Sequence, residues 1–133
     1  ISGPLLDRID IHIRVSRVKY EDLSSKQKAE SSAVIRQRVE KARQRQWERL
    51  KPYGLFCNAQ MSHAIIHKEC PLPEEAQKLL EQAFQRLMLS ARSYDRIIKV
   101  ARTIADLAGD EDISAVHIAE AIQLRNDMGV AMD

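Results

Sequence analysis

Apolar residues recur along most of this chain at helical spacing, and that spacing divides it into segments. From Ser32 to about Leu50, the residues Ile35, Val39, Ala42 and Leu50 fall within a narrow arc at about 100° per residue, with Trp47 at its edge. Lys51-Pro52-Tyr53-Gly54 ends that helix, because proline cannot continue the hydrogen-bond ladder and glycine tolerates the exit. Met61 to Lys68 predicts a short helix before Pro71 and Pro73. Glu74 to Leu89 is amphipathic, its stripe formed by Ala76, Leu79, Leu80, Ala83, Phe84, Leu87 and Met88. Ser90 is then a good N-cap, since its hydroxyl can accept an otherwise orphaned backbone donor. The helix it opens buries Tyr94, Ile97, Ile98, Ala101, Ile104, Ala105 and Ala108, and Gly109-Asp110-Glu111-Asp112 breaks it. Ile113 and Ser114, with Ile118 beyond, read as a capped start with a hydrophobic staple. Ala115, Ile118, Ala119 and Ile122 face the core from this last helix, and Asn126-Asp127-Met128-Gly129 has no periodicity.

One segment follows a different period. Ile9-Asp10-Ile11-His12-Ile13-Arg14-Val15 alternates apolar and polar, the signature of a half-buried strand. A lone strand cannot satisfy its own ladder, so its partners are expected upstream, and residues 1 to about 24 are expected to be poorly ordered alone. Asp22 to Glu30, polar and serine-rich, reads as a connector. The expected fold is all-α: a helical bundle of about four main helices preceded by an extended segment. Residues 1–24 form one part, and residues 25–133 form the bundle with a flexible tail.

Composition narrows this picture. The 133 residues are 44% hydrophobic but only 5% aromatic, so the core must be aliphatic. Charged residues make up 30% and glycines number four, which suits amphipathic helices better than a sheet sandwich. A net charge of +2 implies no partner by itself. Cys57 and Cys70 are too few to staple a domain of this size, and no apolar run approaches membrane-spanning length, so a reduced, cytoplasmic protein is expected. An opening at Ile1, without an initiator Met and inside a motif-like segment, reads as the start of an excised piece.

Two arginine-bearing segments carry the candidate chemistry: Gly3-Pro4-Leu5-Leu6-Asp7-Arg8-Ile9-Asp10 and Ser90-Ala91-Arg92-Ser93-Tyr94-Asp95-Arg96-Ile97. The planar guanidinium matches phosphate oxygens and stays charged at any working pH. No Walker A loop accompanies them, so the backbone donors that would cradle a triphosphate are not in this sequence. Arg8 has a surface ion pair with Asp7 or Asp10 as its rival reading, and Arg92 a solvated helix position. Residues 36–51 hold seven basic side chains against two acidic, a net of +5. Arg38, Lys41, Arg45 and Arg49 fall along one stripe there, able to neutralise DNA phosphates or simply to face solvent. Cys57, His63, His67 and Cys70 tempt a zinc reading, but the spacing Cys-x5-His-x3-His-x2-Cys matches no common finger, and no metal is assigned. No nucleophile triad is apparent.

These pieces together resemble a family. Ser2-Gly3-Pro4-Leu5-Leu6-Asp7-Arg8-Ile9-Asp10-Ile11-His12-Ile13 is similar to the segment before the last core strand of magnesium-chelatase-like AAA+ ATPases, above all the ComM/YifB group. Leu89 to Leu107 resembles the sensor 2 helix of that group, and His117-Ile118-Ala119-Glu120-Ala121-Ile122 its closing helix. The resemblance implies an AAA+ helical lid attached to the end of a nucleotide-binding core. It implies that Arg8 is the arginine finger reaching ATP on a neighbouring subunit, and that Arg92 is the sensor 2 arginine, with Arg96 a weaker candidate for nucleotide contact. ATP and Mg²⁺ are the cofactors so implied. The partners are the protein's own core and its neighbours in a ring, read as a hexamer, and DNA for a motor in recombination during DNA uptake. The alternatives are a protein-remodelling ATPase of the chelatase kind and a stand-alone helical DNA-binding module. Without Walker motifs the chain alone is not expected to hydrolyse ATP.

Overall fold

The computed structural model describes residues 3–13, 15, 17, 20 and 29–132, with 126–132 described by their backbone. Arg14 of the expected strand, most of the connector and the boundary at residues 24 and 25 lie outside the described residues. Those described form an all-α structure, as the periodicity predicts, with no strand among them.

Helix α1 (Gly3–Arg8) starts with Pro4 in its first turn, where a missing N–H costs nothing. Helix α2 (Ser32–Leu50) is capped by Ser31, whose hydroxyl accepts from the Val34 amide at 3.2 Å. It tightens into a 3₁₀ turn (Lys51–Tyr53) that exits through Gly54 at φ 73°. A second 3₁₀ turn (Asn58–Gln60) leads to α3 (His63–Glu69), capped by Ser62. Helix α4 (Glu74–Arg86) carries Glu74 and Glu75 in its first turn, where the helix dipole favours negative charge. Helix α5 (Ala91–Ala108) opens on the Ser90 cap that the sequence predicts, the hydroxyl accepting from the Ser93 amide at 3.1 Å. It ends in a Schellman motif: Gly109 at φ 81° donates to the Asp106 carbonyl, and Asp110 donates to that of Ala105. Helix α6 (Ala115–Met132) runs on through the residues whose pattern carries no helical period.

Helix α5 is the centre of the bundle. It packs against α2, α3, α6 and the Asn58–Gln60 turn, while α4 rests on α6. The shared core is aliphatic: Leu50, Ile66, Ala76, Leu80, Ile97, Ile98, Ala101, Ile113, Ile118 and Ala121 are buried together. Each large side chain here contributes roughly 1.5–3 kcal/mol of burial.

Several expectations are corrected. Phe84 and Ala108, expected on the apolar faces of α4 and α5, are exposed. The first half of α2 extends past the bundle, so Ile35 and Val39 are exposed, and only Ala42, Gln46 and Leu50 are buried. Met88 continues the α4 stripe in sequence but sits at φ 51° beyond the helix end, which turns it out to 89% exposure. Ala119 is exposed on α6, where His117, Ile118, Ala121 and Arg125 are buried instead.

The alternating segment forms no ladder among the described residues. Ile9, Ile11, Ile13 and Val15 are exposed along with Asp10, and His12 is buried, so burial does not follow the alternation. Helices take the place of strand partners here: the His12 amide donates to the Leu124 carbonyl at 2.6 Å.

Candidate functional site

The described part of the N-terminal segment lies across α5 and α6, and a cleft of about 850 Å³ opens beside it. Asp10 lines the cleft from the segment, Arg92, Asp95, Arg96 and Lys99 from α5, and Glu120 from α6. The structure thus brings the candidate arginines of the two sequence segments to one region.

Their environments differ. Arg92 stands exposed in the first turn of α5, and among the described residues nothing pairs with its guanidinium. A free cation beside the unpaired amides of a helix N-terminus suits an anionic group. Arg96, one turn on, also lines the cleft and is engaged there: its Nη1 donates to the Arg8 carbonyl at 2.8 Å and to the Asp10 carboxylate. Lys99 donates to the Ala59 carbonyl at 3.1 Å and so holds the 3₁₀ turn. Arg8 is the last residue of α1, and its side chain is exposed.

The basic stripe of α2 divides. Arg38, Lys41 and Arg45 are exposed, Arg38 in an ion pair with Glu30 at 2.9 Å and Arg45 lying over Gly109. Arg49 turns inward, where its two terminal nitrogens grip Asp106 at 2.8–3.0 Å. Asp106 also accepts from Arg102 at 3.1 Å and from Asn58 Nδ2 at 3.0 Å. The Asn58 amide in turn donates to Gln46 Oε1 at 3.0 Å. Arg102 completes the cluster by donating to the Asp110 and Glu111 carbonyls just past the end of α5. This network ties α2, the Asn58–Gln60 turn and the exit of α5 together. Sequence reasoning missed it, although Arg102 and Asp106 stand four residues apart on one helix, the spacing of an ion pair.

The residues weighed for zinc are dispersed in role. His63 pairs with Asp95 at 2.8 Å, His67 is exposed, and Cys70 is buried with its sulfur 4.0 Å from that of Met61. Burial pushes the Cys70 thiol up to about 11, which keeps it protonated at neutral pH. Among the described residues no three His, Cys, Asp or Glu side chains gather where a metal ion would sit. His117 has a structural place: its Nδ1 accepts from the Ser114 amide at 2.9 Å, closing a capping box at the start of α6, and its Nε2 meets Asp110 at 2.9 Å. No helix among the described residues is long and apolar enough to cross a membrane.

A bundle of this kind, with a central helix opening on a free arginine, defines a class that comparison with known proteins identifies. Residues 29–125 match the family described as magnesium chelatase, subunit ChlI C-terminal, and the chain belongs to that family. Within it the chain is of the ComM/YifB type. It is 39% identical over 126 residues to the competence protein ComM of Haemophilus influenzae, covering 94% of this chain and 24% of that protein. To the YifB proteins of Salmonella typhimurium and Escherichia coli it is 38% and 37% identical, over the same 94% of this chain and 24% of each. The chain therefore spans about a quarter of the length of the curated relatives it matches.

Proposed function

We propose that this chain is the helical lid of a magnesium-chelatase-like AAA+ ATPase together with the end of its nucleotide-binding core. The lid closes over ATP through Arg92 as sensor 2. Arg8, on the segment laid across α5 and α6, serves as the arginine finger toward the neighbouring subunit of a ring, read as a hexamer. The observation that carries this reading is the free guanidinium of Arg92 in the first turn of α5, at the edge of the cleft.

The donor set fits a phosphate and not its metal. Arg92 offers a fork of charge-assisted donors to phosphate oxygens and needs no proton exchange to do so. Of the carboxylates at the cleft, Asp10 and Asp95 are engaged with Arg96 and His63, and Glu120 alone offers too few oxygen ligands, so nothing in this chain is proposed to hold Mg²⁺. ATP, when bound, supplies the phosphoryl group whose charge the two arginines would stabilise.

Two substrates for the motor follow from two surfaces. Arg38, Lys41 and Arg45 face solvent on the projecting helix and favour DNA; one relative is named a competence protein, which agrees with a role in DNA uptake. Val34, Ile35 and Val39, exposed on the same helix, favour the second reading, a protein partner remodelled by the ring.

The test is ATP hydrolysis by the protein as its gene encodes it, wild type against Arg92→Ala, with and without branched DNA. DNA-stimulated turnover that the substitution abolishes is the expected result. Normal hydrolysis by Arg92→Ala overturns the sensor assignment, and turnover indifferent to DNA gives the protein-remodelling reading the lead.

A further inference from the structure

Residues 8–12 are fastened to the lid by side chains that the sensor reading leaves unused. Arg96 Nη1 donates to the Arg8 carbonyl and to the Asp10 carboxylate. The Arg8 carbonyl ends α1 and has no helical partner, so a guanidinium there both caps the helix and complements its dipole. Arg125, buried on α6, donates through Nη1 to the Ile9 carbonyl at 2.7 Å and through Nη2 to Ser93 Oγ at 2.8 Å. Ser93 adjoins Arg92 in the chain and is buried in the first turn of α5. The buried His12 ring meets the Arg125 carbonyl at 2.7 Å through Nδ1. The Arg8 carbonyl is thus held from α5 itself, and the Ile9 carbonyl from α6 by an arginine that also binds Ser93 beside Arg92.

We propose that Arg96 is a positioning residue that latches the Arg8-bearing segment to the helix carrying Arg92, so that lid movement and finger placement are one motion. The inference rests on the reading of Arg8 and Arg92 given above and adds the link between them. Arg92 and Arg96 are four residues apart on α5, about 6 Å along its axis, and lie on one face. A shift of that helix when Arg92 meets phosphate is therefore carried by the Arg96 guanidinium to the end of α1. An exposed ion pair alone would transmit little. Here the guanidinium also grips a backbone carbonyl, and Arg125 and His12 hold the adjoining residues, which makes the connection stiff. In a ring, ATP on one subunit would then set the reach of the arginine offered to the next.

The test uses the protein as its gene encodes it and compares Arg96→Ala, Arg96→Lys, and Arg96→Asp combined with Asp10→Arg. Hydrogen exchange at residues 9–12 reads the latch directly, and should quicken about tenfold in Arg96→Ala while the amides of α5 keep their protection. Turnover should fall about tenfold with KM for ATP unchanged, because a misplaced finger affects the transition state and not ground-state binding. Arg92→Ala, by contrast, should weaken ATP binding itself, read as a raised dissociation constant in a direct binding titration. Arg96→Lys, which can still donate to the Arg8 carbonyl, should recover part of both exchange protection and kcat, and the reversed pair less, since a carboxylate there cannot donate to it. Unchanged exchange at residues 9–12 in Arg96→Ala overturns the latch, as does Arg96→Lys with no recovery. If Arg8→Ala hydrolyses normally the finger reading itself fails, while faster exchange in Arg96→Ala would still uphold the latch.

Discussion

Arg49 at the end of α2 holds Asp106 on α5 with both terminal nitrogens, at 2.8 and 3.0 Å, and the carboxylate it holds is 3% exposed. This pair joins the projecting basic helix to the helix carrying Arg92. Removing one partner leaves the other charge buried without it. Arg49→Ala is therefore expected to destabilise the domain by about 3 kcal/mol. Asp106→Ala should cost at least as much, since it strands Arg102 as well. Urea unfolding followed by circular dichroism measures both, and a loss under 1 kcal/mol for both, or about a third of that expected, would mean that solvent replaces the pair.

The exit of α5 depends on Gly109 at φ 81°, with the Arg45 guanidinium 3.5 Å from where a Cβ would lie. The left-handed conformation costs an alanine about 1–2 kcal/mol, and the arginine can shift aside. Gly109→Ala should lower the unfolding midpoint accordingly, whereas Gly109→Asn should lower it less. Equal losses for the two would place the cost in the arginine contact instead of the backbone.

Cys70 supplies a pH prediction. Burial of the thiol raises its folded-state pKa to about 11, above the 9.0 of an ordinary cysteine. The native state therefore holds this proton more tightly than the unfolded chain. Its contribution to stability is complete below pH 9 and is lost as pH rises toward 11. Denaturation midpoints measured across that window should fall for the wild type and fall less for Cys70→Ala. At pH 8 a thiol reagent should label the half-buried Cys57 well before Cys70.

Arg38, Lys41 and Arg45 form what the structure leaves exposed of the basic stripe. If they contact DNA phosphates, changing all three to Gln should weaken binding across sequences. The slope of log K against log salt should also drop, by about 0.9 for each phosphate lost. Unaltered affinity and slope in a fluorescence titration would remove this helix from the DNA reading. Arg49 is unsuitable for that series, because its loss acts through stability.

Much of this molecule was legible before any coordinates. Apolar residues at helical spacing located α2, α4, α5 and the start of α6, and Ser90 announced the cap of α5, because these are local matters of propensity and hydrogen bonding. The alternation over Ile9–Val15 stands apart, because it implies strand partners that the described residues do not contain. Alternation describes which faces a strand would have, and says nothing when helices, not strands, supply the partners. The stripe on α2 was read correctly as a surface feature for Arg38, Lys41 and Arg45, but Arg49 follows the same spacing and points inward.

What the sequence determined by itself was the all-helical class, the apolar centre of α5 at Ile97, Ile98, Ala101 and Ala105, and the family to which the chain belongs, since periodicity and motif spacing are properties of neighbours along the chain. The tertiary structure alone decided which charges are free. Arg92, Arg96 and Arg49 are alike in chemistry, and their different fates follow from what lies across from each: open cleft, the Arg8 segment, and Asp106. A guanidinium's role is set by partners distant in sequence, and only folding brings those partners within hydrogen-bond reach.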